Sequence, residues 1–150
     1  MCIMFLAGAV RSYSYHQEMK SFSDARASCA RSGGDLATFN STAEQEVVLP
    51  GDIYTENGDW RVGLHQKDGG EEWYWTSGLQ VSWTNWARGA PNNGGSGLCA
   101  RLTNSPNYPP GWWWDDFPCS RKYNYICETI KGQYLYLPIL FNFDLITFVT

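Results

Sequence analysis

Candidate metal-binding side chains occur at two places in the second half of this chain. They are Asn92 and Asn93, in the segment GAPNNGGSGLC (89–99), and the neighbouring residues Asp115 and Asp116. Carboxylate and amide oxygens suit a hard metal ion. However, Ala90 stands directly before the proline of the segment, and no carboxylate precedes Cys99. The residue types therefore predict either a working metal site or the remaining part of one.

The two aspartates do not form a catalytic pair. Asp115 and Asp116 are adjacent, and neighbouring residues on an extended segment point to opposite faces. A pair of catalytic carboxylates must instead flank one bond. No serine or cysteine stands in a pattern with a histidine and an orienting acid, and no phosphate-binding glycine motif is present. We therefore expect a binding protein and not an enzyme.

Composition indicates a single globular domain. The chain has 150 residues, of which 43% are hydrophobic and 17% charged, with a net charge of -4. That length is enough for one hydrophobic core. The negative charge and the absence of a basic stripe argue against nucleic acid as a partner. All eight tryptophans fall between Trp60 and Trp114, so the middle of the chain needs a core or a partner surface for its aromatic side chains.

The cysteine pattern favours disulfides. The five cysteines are Cys2, Cys29, Cys99, Cys119 and Cys127. None has the close CxxC spacing of a zinc or redox motif. Four cysteines in a domain of this size predict two disulfides in an oxidising compartment. Three pairings are open, spacing alone does not choose among them, and Cys2 is left over.

Local signals predict two helices. The segment SFSDARASCARSGG (21–34) has Ser21 or Ser23 as a cap, and Gly33-Gly34 ends it. Its apolar spacing turns Cys29 towards the core. In STAEQEVVLPG (41–51), Ser41 and Glu44 form a capping box, and Pro50-Gly51 stops the helix.

After residue 51 the pattern changes to strands and loops. The strand candidates are WRVGL (60–64), EEWYWTSG (71–78), LCARLT (98–103) and KYNYICE (122–128). Residues 78–97 form a long loop rich in glycine, asparagine and tryptophan, and a loop of that length in a compact domain is usually functional. Two helices followed by small antiparallel sheets and a long irregular loop predict an α+β fold.

Both ends of the chain are apolar. Residues 1–10, MCIMFLAGAV, finish in small residues, which favours a signal-peptide remnant, with a plain N-terminal strand as the alternative. The tail, residues 130–150, is interrupted by Pro138, Asn142 and Asp144, so a membrane span is not expected. An extra strand, or translation past the true end, explains the tail better. The predicted domain is therefore 11–129.

Taken in order, these segments resemble the C-type lectin-like domain family from about Tyr13 to Glu128. The matching stretches are SFSDARASCARSGGDLATF (21–39), RVGL (61–64), WYWTSG (73–78), WTNWARGAPNN (83–93), WDDFPC (114–119) and YNYICE (123–128). The resemblance implies the family's fold, and it implies the disulfide pairs Cys29–Cys127 and Cys99–Cys119.

The resemblance also implies a calcium site that binds sugar hydroxyls. The family takes oxygens from a Glu-Pro-Asn tripeptide, a glutamate before the third-strand cysteine, and an Asn-Asp pair. This chain keeps oxygen ligands at Asn92, Asp115 and Asp116, although Asp115 stands where the pair has an asparagine. Ala90 replaces the first glutamate, and Leu98 precedes the cysteine. We expect either weak calcium binding by these three residues or purely structural use of them.

Four further residues complete the candidate site. Asn93 belongs to the sugar-binding loop, and Trp112 and Trp113 exceed the family pattern. Each of these indoles either stacks on a sugar or a protein ligand or fills a pocket under the loop. Asn40 begins a glycosylation sequon, although Ser41 is explained equally well as a helix cap.

The resemblance therefore implies a secreted protein that binds microbial or cell-surface glycans through a degenerate calcium-dependent site. The alternative is a calcium-independent module that binds a protein ligand with the same loop. A third class is a protein fitted to another surface, ice included.

Overall fold

Two helices and one mixed sheet make up the described part of the chain. A computed structural model describes residues 5–49, 58–67, 70–94 and 97–135. The elements in chain order are β1 (Phe5–Lys20), α1 (Phe22–Arg31), β2 (Asp35–Leu36), α2 (Thr42–Val48), β3 (Trp60–Gln66), β4 (Trp73–Trp75), β5 (Leu98–Thr103), β6 (Trp113–Pro118) and β7 (Tyr123–Leu135). The predicted α+β class is confirmed.

Both helices begin at the predicted serine caps. The Ser21 hydroxyl accepts the backbone N–H of Asp24 at 3.3 Å, and Ser41 accepts that of Glu44 at 3.1 Å. The Glu44 carboxylate in turn accepts the N–H of Asn40 at 2.7 Å, one residue earlier than in an ordinary capping box. The two serine bonds satisfy N–H groups that a helix start leaves without intrahelical partners. The predicted stop at Pro50-Gly51 lies outside the described residues.

The strands follow the order β1-β7-β3-β5-β6, with β2 paired to β7 and β4 paired to β3. The β3–β7 pair is parallel, and the other pairs are antiparallel. The β1–β7 ribbon runs from the Phe5–Leu135 pair to the Lys20–Tyr123 pair. It therefore crosses both predicted domain limits, at residues 10 and 129. Removal of a leader stays a prediction, and residues 136–150 lie outside the described part.

Trp114 lies at the centre of the aromatic core. It is fully buried, and the rings of Trp75, Trp83 and Trp86 meet it edge-on at 5.8, 5.3 and 5.5 Å between centroids. Edge-to-face contacts add to the free energy gained by burying the rings themselves. The concentration of tryptophan in the middle of the chain is thus explained in large part by packing.

Both implied disulfides are confirmed. Cys29 on α1 is bonded to Cys127 on β7, with 5.4 Å between their Cα atoms. Cys99 on β5 is bonded to Cys119, directly after β6, with 4.9 Å between Cα atoms. The first bond fixes α1 on the sheet, and the second joins the start of β5, where the long loop ends, to the end of β6. Cys2 lies outside the described residues.

Candidate functional site

Asp116 fastens the long loop to β6. Its carboxylate Oδ1 accepts the backbone N–H of Asn92 at 2.8 Å, and Oδ2 accepts that of Asn93 at 2.8 Å. The side-chain amide of Asn93 also donates to the carbonyl oxygen of Asp116. Asp116 itself is 0% exposed. We refer to Asn92, Asn93 and Asp116 as the Asp116 cluster.

The Asp116 cluster connects the loop to β6 through hydrogen bonds within the protein. Hydrogen bonds to an ionised acceptor are stronger than those between neutral groups, and two backbone donors compensate a buried carboxylate. The peptide bond between Ala90 and Pro91 is cis. The side chain of Asn92 is exposed and makes no hydrogen bond with any described residue. Its amide therefore remains able both to donate to and accept from a ligand.

Asp115 lies in a different network. Its Oδ2 accepts from Nη2 of Arg101 at 3.0 Å, because Arg101 stands opposite it in the β5–β6 register. Arg101 also pairs with Asp59. Burial works to lower the pKa of the Arg101 guanidinium, but the charges of Asp59 and Asp115 outweigh burial and raise that pKa above its ordinary value. The positive charge on Arg101 thus neutralises Asp115, while Asp116 faces the loop.

The residues present do not fit the full calcium shell that the resemblance implies. Both carboxylate oxygens of Asp116 already accept backbone N–H groups, and Asp115 is paired with a guanidinium. Ala90 offers no side-chain oxygen, and Leu98 is an aliphatic residue only 6% exposed. Within the described ranges, no group of three or more His, Cys, Asp and Glu side chains is placed to hold a metal ion. Weak binding of calcium by Asn92, Asp115 and Asp116 stays a prediction.

The two extra tryptophans differ in exposure. Trp112 is 8% exposed and belongs to the core cluster, so it fills a pocket, as one of the two alternatives proposed. Its carbonyl oxygen accepts from the side-chain amides of Gln45 at 3.1 Å and Asn85 at 2.8 Å. Trp113 is half-buried, and its indole Nε1–H donates to the carbonyl of Pro109 at 2.8 Å. Trp113 therefore keeps part of its ring available to a ligand.

Trp113 lines a groove that the sequence reasoning missed. The groove has a volume of about 510 Å³ and is lined by Trp86, Arg88, Asn107, Tyr108, Pro109 and Trp113. It joins the long loop to the connection between β5 and β6. The surplus of tryptophan was the signal for an aromatic surface. The sequence did not predict the wall formed by residues 107–109, because these residues are distant in sequence from Trp86 and Arg88.

The glycosylation candidate lies away from this groove, directly before α2. Asn40 is exposed, and its backbone N–H is bonded to Glu44. The asparagine side chain is thus accessible at the surface, while Ser41 acts as the helix cap. Occupancy of the sequon stays a prediction.

The fold and the fastened loop define a C-type lectin-like domain. The family described as "Lectin C-type domain" matches residues 18–129. The chain belongs to this family. Among the residues that the structure describes, no helix has both the length and the hydropathy to cross a membrane.

Three relatives place the chain within this family. Lithostathine-1-alpha of Homo sapiens is 31% identical to this chain over 125 residues, which cover 80% of this chain and 74% of the relative. The solved structure of human lithostathine is 28% identical and superposes with a TM-score of 0.71, over 81% of this chain and 84% of that chain. The mouse scavenger receptor C-type lectin carbohydrate-recognition domain is 27% identical, with a TM-score of 0.67 over 79% and 89%. A calcium-independent type II antifreeze protein is 27% identical, with a TM-score of 0.68 over 89% and 96%.

Proposed function

We propose that this protein is a secreted lectin-like protein that binds carbohydrate through the exposed side of the Asp116 cluster without requiring calcium. One observation carries the proposal: the Asp116 carboxylate accepts the N–H groups of both Asn92 and Asn93. The protein's own carboxylate thereby fixes the loop that carries the candidate sugar-binding amides. The absence of the two glutamates at Ala90 and Leu98 is then expected to lower the affinity for sugar without changing the conformation of the loop.

The chemistry of Asn92 supports a sugar as the ligand. A sugar hydroxyl both donates and accepts hydrogen bonds, and an exposed amide offers both functions from one side chain. The similarity to a mouse domain named for carbohydrate recognition supports the same class of ligand. Because Ala90 offers no carboxylate, we expect weak affinity for a single sugar and useful affinity only for multivalent glycans.

Secretion is supported by the disulfides. Bonds such as Cys29–Cys127 and Cys99–Cys119 persist in oxidising compartments and are rare in the cytosol. The exposed Asn40 in its sequon is consistent with passage through a secretory pathway. Since none of the three relatives described above is named as an enzyme, we propose binding without catalysis.

Retention on immobilised mannan tests the proposal. We expect retention of the wild-type protein that EDTA does not release, and a clear loss of retention for Asn92→Ala. The control is Gln17→Ala, which removes another exposed amide, on β1. Equal retention of the Asn92 variant and the wild type would contradict the assignment of the loop.

Three further measurements on the wild-type protein distinguish calcium-dependent sugar binding, protein binding and ice binding. Release by EDTA would show that a cation completes the site after all. A blank glycan array together with binding to a defined protein ligand would favour the protein-interaction module. Ice recrystallisation inhibition without glycan binding would favour the third class, which the similarity to an antifreeze protein brings into the comparison.

A further inference from the structure

The groove between the long loop and the β5–β6 connection has rigid aromatic walls. The Trp86 ring lies against Trp73 and Trp114, at 4.7 and 5.5 Å between centroids. The Trp113 indole is held by its hydrogen bond to Pro109. A volume of about 510 Å³ falls in the usual range of small-ligand sites. Walls held in this way lose little conformational freedom when a ligand binds.

Arg88 supplies an uncompensated positive charge on the lining of this groove. It is exposed, and it makes no ion pair or hydrogen bond with the residues that the structure describes. A guanidinium is planar and carries its donors in a fork that matches the two oxygens of a carboxylate or sulfate. The lining of the groove therefore suits a ligand that has a flat face rich in C–H bonds and an anionic group beside that face.

We propose that this groove, lined by Trp86, Arg88, Tyr108 and Trp113, binds an acidic pyranose of a glycan independently of calcium. The C–H bonds on one face of the sugar ring lie against the indoles, whose faces carry negative partial charge. The carboxylate or sulfate of the sugar accepts hydrogen bonds from Arg88. None of the groove's lining residues belongs to the Asp116 cluster, so this is a second subsite. The choice of a sugar rests on the proposed function.

A matched pair of ligands tests the charge requirement. Methyl β-D-glucuronide and methyl β-D-glucoside differ only at C6, which is a carboxylate in the first and a hydroxymethyl group in the second. Binding of each is followed through the indole N–H resonance of Trp113. The spectrum of Trp113→Phe identifies that resonance. We expect the glucuronide to bind roughly tenfold more tightly, which is about 1.4 kcal/mol, with no effect of EDTA. A sulfated methyl glucoside, titrated in parallel, distinguishes sulfate from carboxylate as the preferred anion.

Arg88→Gln should abolish the preference for the glucuronide without changing the glucoside response. The matched control is Arg31→Gln, which removes one charge from α1 and should keep the preference. Equal binding of the two sugars to the wild-type protein, or a preference that survives Arg88→Gln, would overturn the proposal. A stronger Trp113 response to a glutamate peptide than to either acidic sugar would overturn it too, because the groove would then be a protein site.

Failure of this inference differs from failure of the proposed function. If the groove does not bind acidic sugars, retention on mannan through Asn92 is unaffected. If no neutral or acidic glycan is bound at all, both proposals fall together.

Discussion

Replacing Asp116 with asparagine tests whether the protein's own carboxylate fixes the long loop. The two side chains have almost the same shape, so the substitution leaves no cavity and changes hydrogen bonding alone. Asparagine has a single side-chain oxygen and an NH₂ group in place of the second. One of the N–H groups of Asn92 and Asn93 would keep its acceptor, and the other would face a donor.

The expected loss follows from these bonds. A hydrogen bond to a charged group contributes about 1.5–3 kcal/mol, and a buried donor left without a partner adds to the cost. Because Asp116 is fully buried, we expect the variant to lose about 3 kcal/mol. In a domain of this size each kcal/mol lowers the midpoint of thermal unfolding by roughly 2–4 °C. The midpoint should therefore fall by about 6–12 °C.

Calorimetry under non-reducing conditions measures this change. The control is Glu71→Gln, which removes one negative charge from an exposed residue and should leave the midpoint nearly unchanged. Each protein is scanned in calcium and in EDTA, and the wild type should unfold at the same temperature in both. An unchanged midpoint for Asp116→Asn, or a large fall of the wild-type midpoint in EDTA, would refute the reasoning, the latter because a cation would then hold the loop.

Two further predictions concern Gly34, directly before β2, and Tyr13 on β1. A Cβ atom at Gly34 would lie 2.1 Å from the carbonyl oxygen of Glu128 and 2.8 Å from Cγ2 of Thr129. Gly34→Ala should therefore lower the free energy of unfolding in urea by about 1–3 kcal/mol. The control is Gly70→Ala, where the nearest neighbour of the added Cβ atom lies at 3.6 Å, and equal losses of stability in the two variants would contradict the close approach at Gly34. Burial raises the pKa of the Tyr13 phenol above its ordinary value of 10.0, so the folded protein releases that proton at a higher pH than the unfolded chain does. Stability should then fall as the pH rises through about 10, less steeply in Tyr13→Phe, and identical slopes would show that Tyr13 does not contribute.

Elements that depend on local chemistry were predictable from the sequence. The serine caps at Ser21 and Ser41 and the strand 98–103 agree with the structure because their signals lie within a few residues. The parallel pairing of β3 with β7 carries no such signal. Strand partners depend on contacts between distant residues, so the predicted antiparallel sheets became one mixed sheet.

The candidate site divides in the same way. The resemblance assigned Asn92 and Asp116 to one candidate site, and the structure brings them together, because the Asp116 carboxylate accepts the backbone N–H of Asn92. It did not show that Asp115 faces Arg101, because that contact is set by the β5–β6 register. The sequence also does not show which of the adjacent tryptophans, Trp112 and Trp113, is buried. Exposure depends on what packs above each ring.

The β1–β7 ribbon has a practical consequence for handling the protein. Phe5 and Leu135 are paired at one edge of the sheet, whereas Asp116 lies on β6, at the other edge. Four steps between neighbouring strands, each about 4.8 Å, separate β1 from β6, or roughly 19 Å in all. We therefore expect an attachment to a bead, a tag or a neighbouring module through residue 5 or residue 135 to leave the exposed amide of Asn92 accessible to a ligand.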